Sequence, residues 1–212
     1  MDKKTISEMG WPFKGTINVI DIETEIKTPA LILFLQQNYI PITIANQFLV
    51  ELNCERDGKK FKGLGCPNPT GNYEIIGPNE NGKTGSLQYT LWENNGREVN
   101  LFNNQLDFLT CQKDNLHIFG DHNDSLIVPG LNEFERAITV LDRYDKVNCY
   151  FNHTVKGRLL TERALAAFGD KTDDLSDQYK KDLSYHQERV RASKEFDQFI
   201  NKRRAKRRRK GL

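Results

Sequence analysis

The chain holds 212 residues, 37% hydrophobic and 28% charged, which is enough for a sizeable core and too apolar for a disordered chain. No apolar run approaches the roughly 18–20 residues of a membrane helix, and the first residues lack the apolar stretch of a signal peptide, so a cytoplasmic, membrane-free protein is expected. The net charge of +2 averages two unlike parts: the stretch from Lys202 to Lys210 holds eight basic residues and no acid, and the chain before it holds 23 basic against 29 acidic residues, a net −6.

Residues 1–15 show no periodicity and read as a flexible lead-in. Residues 17–22 read as a strand. Pro29 then opens an apolar-periodic helix carrying Leu31, Leu33, Phe34 and Leu35, since proline at a first helical turn forfeits no hydrogen bond. Pro41 ends that segment, and residues 43–48 form a second short helix. The period then changes to two: residues 50–55 and 60–64 alternate around Asp57-Gly58, a strong hairpin signal, and residues 73–76 are a further short strand. Residues 77–86 and 93–97 are rich in Gly, Asn and Pro and read as turns.

Beyond Gly96 the pattern becomes strand, helix, strand, helix, strand, helix. The strands are 99–102, 126–128 and 147–151; the helices are 106–111, 132–144 and 155–168. Short apolar strands alternating with amphipathic helices predict a parallel sheet built from βαβ units. Residues 183–201 carry Leu183, Val190, Phe196 and Ile200 at helical spacing, and the last eleven residues read as a solvated extension. The four cysteines, Cys54, Cys66, Cys111 and Cys149, have no zinc-ribbon spacing and fit buried thiols in a reducing compartment.

Two segments carry more. The first is Leu101-Phe102-Asn103-Asn104-Gln105-Leu106-Asp107-Phe108; the second is Val147-Asn148-Cys149-Tyr150-Phe151-Asn152-His153-Thr154-Val155-Lys156-Gly157. In order and spacing they resemble the signature segments of Toprim domains, in which one strand ends in a glutamate with an aspartate four positions on, and a later strand ends in Asp-x-Asp. With the strand–Asn–helix segment from Leu126 to Ala137, and the upstream stretches around Thr28-Pro29-Ala30-Leu31 and Gly71-Asn72-Tyr73-Glu74-Ile75, the resemblance narrows to primase-like Toprim proteins of bacterial mobile elements. It runs from about Thr28 to Leu183, without the zinc ribbon that precedes this region in such primases, since no cysteine or histidine stands before Cys54. It implies an α/β fold: a small α+β subdomain over residues 16–92, a Toprim-like parallel sheet flanked by helices over 97–183, and a charged helix with a basic tail over 184–212.

In that family the glutamate is a general acid or base and the two aspartates hold Mg²⁺. The matching positions here are Asn103, Asn152 and Thr154, which are neutral. A hard cation is held by charged oxygens, and an amide exchanges no proton near neutral pH, so a degenerate, non-catalytic site is expected, with no cofactor. Asp107 keeps its carboxylate but lies one turn into the helix. The resemblance then implies a nucleic-acid-associated protein of mobile-element replication or mobilisation, bound to single-stranded or primer-template DNA or RNA, and to other replication or mobilisation proteins.

The basic residues Lys202, Arg203, Arg204, Lys206, Arg207, Arg208, Arg209 and Lys210 are the expected phosphate contacts, because dense cations gain affinity by releasing counterions. Two alternatives stand beside this reading. One is an active Mg²⁺-dependent nucleotidyltransferase or nuclease using displaced acids such as Asp107 and Asp182. The other is nucleotide binding at residues 77–84, where Gly77, Gly82, Lys83 and Thr84 match the Walker A letters. That motif requires a helix after the loop, and residues 85–92 make a poor one.

Overall fold

Proline placement and one buried carboxylate shape the first third of the chain, seen here in a computed structural model that describes residues 16–86, 88–118, 123–176 and 184–209. Helix α1 (Pro29–Gln37) begins at its proline, yet Thr28 does not cap it with its own side chain. Glu51 takes over: its Oε2 accepts the N–H groups of Lys27 (2.9 Å) and Thr28 (2.8 Å), and its Oε1 accepts the Thr28 hydroxyl (2.6 Å) and Lys62 Nζ (2.6 Å). A carboxylate at a helix N-terminus meets both unsatisfied donors and the positive end of the dipole. Pro41 then starts α2 (Ile42–Phe48).

Around these helices runs an antiparallel meander in chain order: β1 (Asn18–Glu23), β2 (Val50–Arg56), β3 (Lys59–Pro67), β4 (Tyr73–Ile76) and β5 (Gly82–Lys83). The β2–β3 turn places Asp57 at φ 51° and Gly58 at φ 74°, the left-handed pair that a two-residue hairpin needs.

The second sheet contains β6 (Thr90–Trp92), β7 (Glu98–Phe102), β8 (Asp124–Ile127), β9 (Lys146–Cys149) and β10 (Thr172–Asp174), in spatial order β10-β9-β7-β8-β6. All its pairings are parallel except that of β6 with β8. Helices α3 (Gln105–Ile118), α4 (Leu131–Leu141) and α5 (Val155–Phe168) make the crossovers. Alternation along the strands sends Phe102 and Ile127 to one face, where they pack with Phe108 and Leu109 of α3 and with Leu31, Leu35 and Ile44 of α1 and α2. Leu101 and Leu126 go to the other face, against Phe134 and Ala137 of α4 and Leu160 and Ala164 of α5. The chain leaves β7 towards one side and β9 towards the other, so the strand order reverses between these two neighbours, and such a point opens a crevice at the carboxyl ends.

The architecture is a mixed α/β fold, a helix-flanked parallel sheet preceded by an antiparallel one. Several details differ from the sequence reading. Thr90–Trp92, assigned to the first unit by a boundary at residue 92, is an edge strand of the second sheet; Trp92 packs edge-on to Phe48 at 5.1 Å between ring centroids. The two units also share a core, since α1 and α2 pack with α3 in one cluster. Helix α3 extends past residue 111 to Ile118, and β10 is an edge strand whose Asp173 pairs with Lys146 at 2.6 Å. The expected extension at the end is helical: α6 runs continuously from Tyr185 to Arg209. Arg, Lys and Ala favour helix, and cations complement the negative C-terminal end of the dipole. Residues 1–15, 177–183 and 210–212, which include Lys210, Asp182 and the lead-in, lie outside the described residues.

The root of α6 is fixed by buried polar contacts. Asp107 Oδ1 accepts the His186 N–H at 2.6 Å, and the His186 ring bonds Thr110 Oγ1 at 2.7 Å and Asn38 Oδ1 at 3.1 Å. Asp114 Oδ2 accepts from Tyr185 Oη (2.7 Å) and Arg189 Nε (2.6 Å).

Burial opposes ionisation of Glu51, but the hydrogen bonds from Lys62, the Thr28 hydroxyl and the two backbone N–H groups outweigh it and pull its carboxyl down to about 2. A depressed carboxyl contributes stability above its unfolded pKa and loses it as pH falls through the folded value. Glu51→Gln is therefore expected to lower unfolding free energy at pH 7 by about 2–3 kcal/mol, the difference from wild type shrinking below about pH 4. Chemical denaturation at several pH values measures it, and equal stability at pH 7 would contradict the assignment.

Candidate functional site

Strands β7 and β9 run side by side, Leu101 opposite Cys149, and the Tyr150 N–H continues the ladder to Leu101 O at 2.9 Å. Their carboxyl ends therefore deliver Asn103 and Asn152 to one cleft of about 670 Å³, which both residues line. Each asparagine is held by the residue that caps the next helix. Asn104 caps α3, its Oδ1 accepting the Asp107 N–H at 2.9 Å, and its Nδ2 donates to Asn103 Oδ1 at 2.9 Å. Thr154 caps α5, its Oγ1 accepting the Gly157 N–H at 3.1 Å while its hydroxyl donates to Asn152 Oδ1 at 2.5 Å. A Cβ at position 157 would lie 2.0 Å from Asn152 O, so only glycine lets α5 start so close to the strand end.

The opposite wall is the β4–β5 hairpin. It brings Glu74 and Lys83, which are register partners across the two strands, to the same cleft, and α4 and α5 add Glu133 and Lys156 from their first turns. Burial pushes the Glu74 carboxyl up to about 7, opposed by a hydrogen bond from Gln105 and by the Lys156 charge. Desolvation also lowers the Lys156 ammonium, with Glu74 and Glu133 working against it. Gln105 donates Nε2 to Glu74 O at 2.8 Å, while its buried Oε1 has no partner among the described residues. Two acids and two amines thus face a floor of neutral amides.

Residues 19–85, which span the antiparallel sheet from β1 to β5, match the model of a family described as "Domain of unknown function (DUF8464)". No curated protein matches the chain. Among solved structures it is similar to the primase fragment of the bacteriophage T7 primase-helicase protein, with a TM-score of 0.57 and 14% identity over 90% of this chain and 81% of that one. The chain has a primase-like fold.

Within that fold the sequence-selected residues separate into groups. Asn103 and Asn152 share the cleft, and Thr154 stands beside them as the α5 cap. Asp107 does not line it: it is fully buried, with one oxygen on His186 N–H and the other on Asn104 Nδ2, and burial raises its carboxyl. Residues 77–84 are a hairpin turn rather than a phosphate loop. Gly77 donates its N–H to Asn81 Oδ1 at 3.1 Å, Thr84 Oγ1 accepts from Tyr73 N at 2.8 Å, and β6 rather than a helix is the next element, so the converging N–H groups of a Walker A loop are not formed. Lys83 reaches the cleft by a different route, as a strand residue. Lys202 is exposed far along α6, and the helical backbone continues through Arg203, Arg204, Lys206, Arg207, Arg208 and Arg209.

Glu74, Glu133 and Lys156 were not singled out from sequence. A glutamate inside the short apolar run Tyr73-Glu74-Ile75-Ile76 was one available signal; charged residues in helical first turns just past parallel strand ends were another.

The donor set does not suit Mg²⁺. The strand ends offer two amide oxygens already accepting from Asn104 and Thr154 and a hydroxyl oxygen already accepting from the Gly157 N–H, and the two nearby carboxyl groups come with two amines. Among the described residues no cluster of three or more His, Cys, Asp or Glu is placed to hold a metal.

A carboxyl raised by burial opposes folding once it ionises: its stabilising effect is full below the unfolded pKa and is lost as pH rises through about 7. Glu74→Gln should therefore raise the melting temperature more at pH 8 than at pH 5. In a carboxyl-carbon NMR titration, Glu74 should show a midpoint near neutrality, and a midpoint near 4.5 would overturn the reading.

Proposed function

We propose that this chain is a primase-like, nucleic-acid-associated protein whose cleft carries out no metal-dependent phosphoryl transfer. The observation that carries the reading is the meeting of Asn103 and Asn152 in one cleft at adjacent parallel strand ends, where the Toprim resemblance implies a glutamate and an aspartate. An amide can hold neither the proton nor the charge that such chemistry uses. What remains is a binding surface. Lys83 and Lys156 offset Glu74 and Glu133 at the cleft, and the net positive charge for phosphates comes from the basic end of α6.

The partner is single-stranded or primer-template nucleic acid, and the setting is replication or mobilisation of a mobile element, as the resemblance implies. The similarity to the phage primase fragment supports the reading through the fold. No cofactor takes part. The chain binds phosphates by replacing their condensed counterions, so affinity falls steeply with salt.

Fluorescence anisotropy with a labelled primer-template at low ionic strength tests the reading. Binding is expected in EDTA, weakening more than about a hundredfold between about 50 and 200 mM salt, and truncation after Asn201 is expected to remove most of the salt dependence. No salt-sensitive binding to any DNA or RNA would end the proposal.

A second measurement addresses the cleft. Calorimetry should detect no Mg²⁺ or Mn²⁺ binding by wild type, whereas Asn103→Glu combined with Asn152→Asp and Thr154→Asp should create a site for Mn²⁺. Primer synthesis by the wild-type chain with Mg²⁺ and nucleoside triphosphates would contradict the non-catalytic assignment.

A further inference from the structure

Helix α6 differs in kind along its length. Its three acids are engaged near the root: Glu188 and Glu195 pair with Arg191, and Asp197 accepts the Tyr39 hydroxyl at 2.8 Å. From Lys194 to Lys202 every residue is exposed or partly exposed, Phe196 at 63%, so this stretch has left the core. The helical backbone nevertheless continues to Arg209, and seven of the eight positions from Lys202 to Arg209 are basic.

At about 100° per residue these positions fall in three rows: Lys202, Lys206 and Arg209; Arg203 and Arg207; Arg204 and Arg208. Only Ala205 interrupts the charge. A membrane-surface helix needs an apolar stripe along its length; here the apolar positions Phe196, Phe199 and Ile200 stop before Lys202, and the basic segment has none. Cations on several sides of one rod are best neutralised by phosphates on several sides. A single strand lies along one side of a rod. A duplex groove is walled by two backbones, and the B-form major groove, about 12 Å wide, admits an α-helix of about 10–12 Å diameter. The A-form major groove is too narrow and deep for one.

We propose that residues 198–209 form a helical arm that enters the major groove of B-form duplex DNA through phosphate contacts along both walls. The inference rests on the nucleic-acid reading above and narrows it: the arm takes the duplex portion of a primer-template. Sequence specificity is not part of it, because phosphate contacts position a protein without reading bases.

The experiment uses the full chain and three labelled probes of equal length and ionic strength: a DNA duplex, the single strand of the same sequence, and the corresponding RNA duplex. Wild type is expected to bind the DNA duplex at least about tenfold more tightly than either other probe. Ala205→Pro leaves every charge in place and breaks the helix within the basic segment. It should weaken DNA-duplex binding about tenfold while changing single-strand binding less than about twofold, with circular dichroism confirming that the body stays folded. Equal affinity for the DNA and RNA duplexes, or an unchanged DNA-duplex affinity in Ala205→Pro, would overturn the groove assignment while leaving nucleic-acid binding intact. If none of the three probes binds, the broader reading falls with it.

Discussion

The buried carboxylate of Asp107 holds the functional end of this molecule together. One oxygen receives the N–H of His186 at the root of α6; the other receives Asn104, which caps α3 and donates to Asn103 in the cleft. A carboxyl in a desolvated position needs donors for its lone pairs; these are supplied here, although burial still outweighs them and raises the group. Position and partners reinforce each other, since a carboxylate in the first turn of a helix also meets the positive end of the dipole. Burial holds the His186 ring at a lowered pKa of about 4, so near neutral pH it joins this network as a neutral group bonding Thr110 and Asn38. Cleft floor and arm root thus share one small polar cluster, and the direction in which α6 leaves the body is set by the helix that begins at the cleft.

The asparagines fill their positions in a way that carboxylates would not. Asn103 and Asn152 each accept a hydrogen bond from a neighbouring cap, from Asn104 in one case and Thr154 in the other, and neither needs a counterion. Carboxylates at both positions, beside Glu133 and a Glu74 that is only partly ionised near neutral pH, would crowd negative charge into one cleft, a repulsion that a bound dication relieves and two lysines relieve only in part. Neutral strand ends with two acids and two amines give a cleft that is near electrical balance by itself. Restoring charge at the strand ends is therefore a change in what the whole cleft requires, which is why three positions, not one, must be altered together to create a cation site.

Much of the architecture was legible in the sequence because local signals and tertiary structure agree. Pro29, the Asp57-Gly58 turn, the short strand at residues 73–76 and the helix at residues 155–168 all stand where their chemistry put them. The boundary at residue 92 and the strand at residues 172–174 that the sequence reading did not see share a cause. Thr90–Trp92 and Thr172–Asp174 are three-residue edge strands that exist only because a neighbour pairs with them. Glu74 entered the cleft unannounced because the docking of α1 and α2 onto α3 brings the antiparallel sheet against the strand ends, a contact without a local sequence signature. The Walker A letters at residues 77–84 show the opposite failure: composition was right, but the next element is a strand, and no helix gathers the backbone donors.

The helical state of the basic segment also answers an electrostatic difficulty. The chain before Lys202 carries a net −6, so a flexible tail with eight positive charges would be drawn onto its own body and spend its charge there. A helix cannot fold back. From Asp197, held by Tyr39, to Arg209 the backbone spans about 18 Å, more than twice the Debye length of about 8 Å at physiological salt. Salt screens charges separated by more than that length, so a basic segment carried on such a helix keeps its counterions available for release to a phosphate backbone. Rigidity, which limits what such an arm can wrap, is also what keeps its charge free, and a partner that accepts a straight rod suits it better than one that must be followed around a bend.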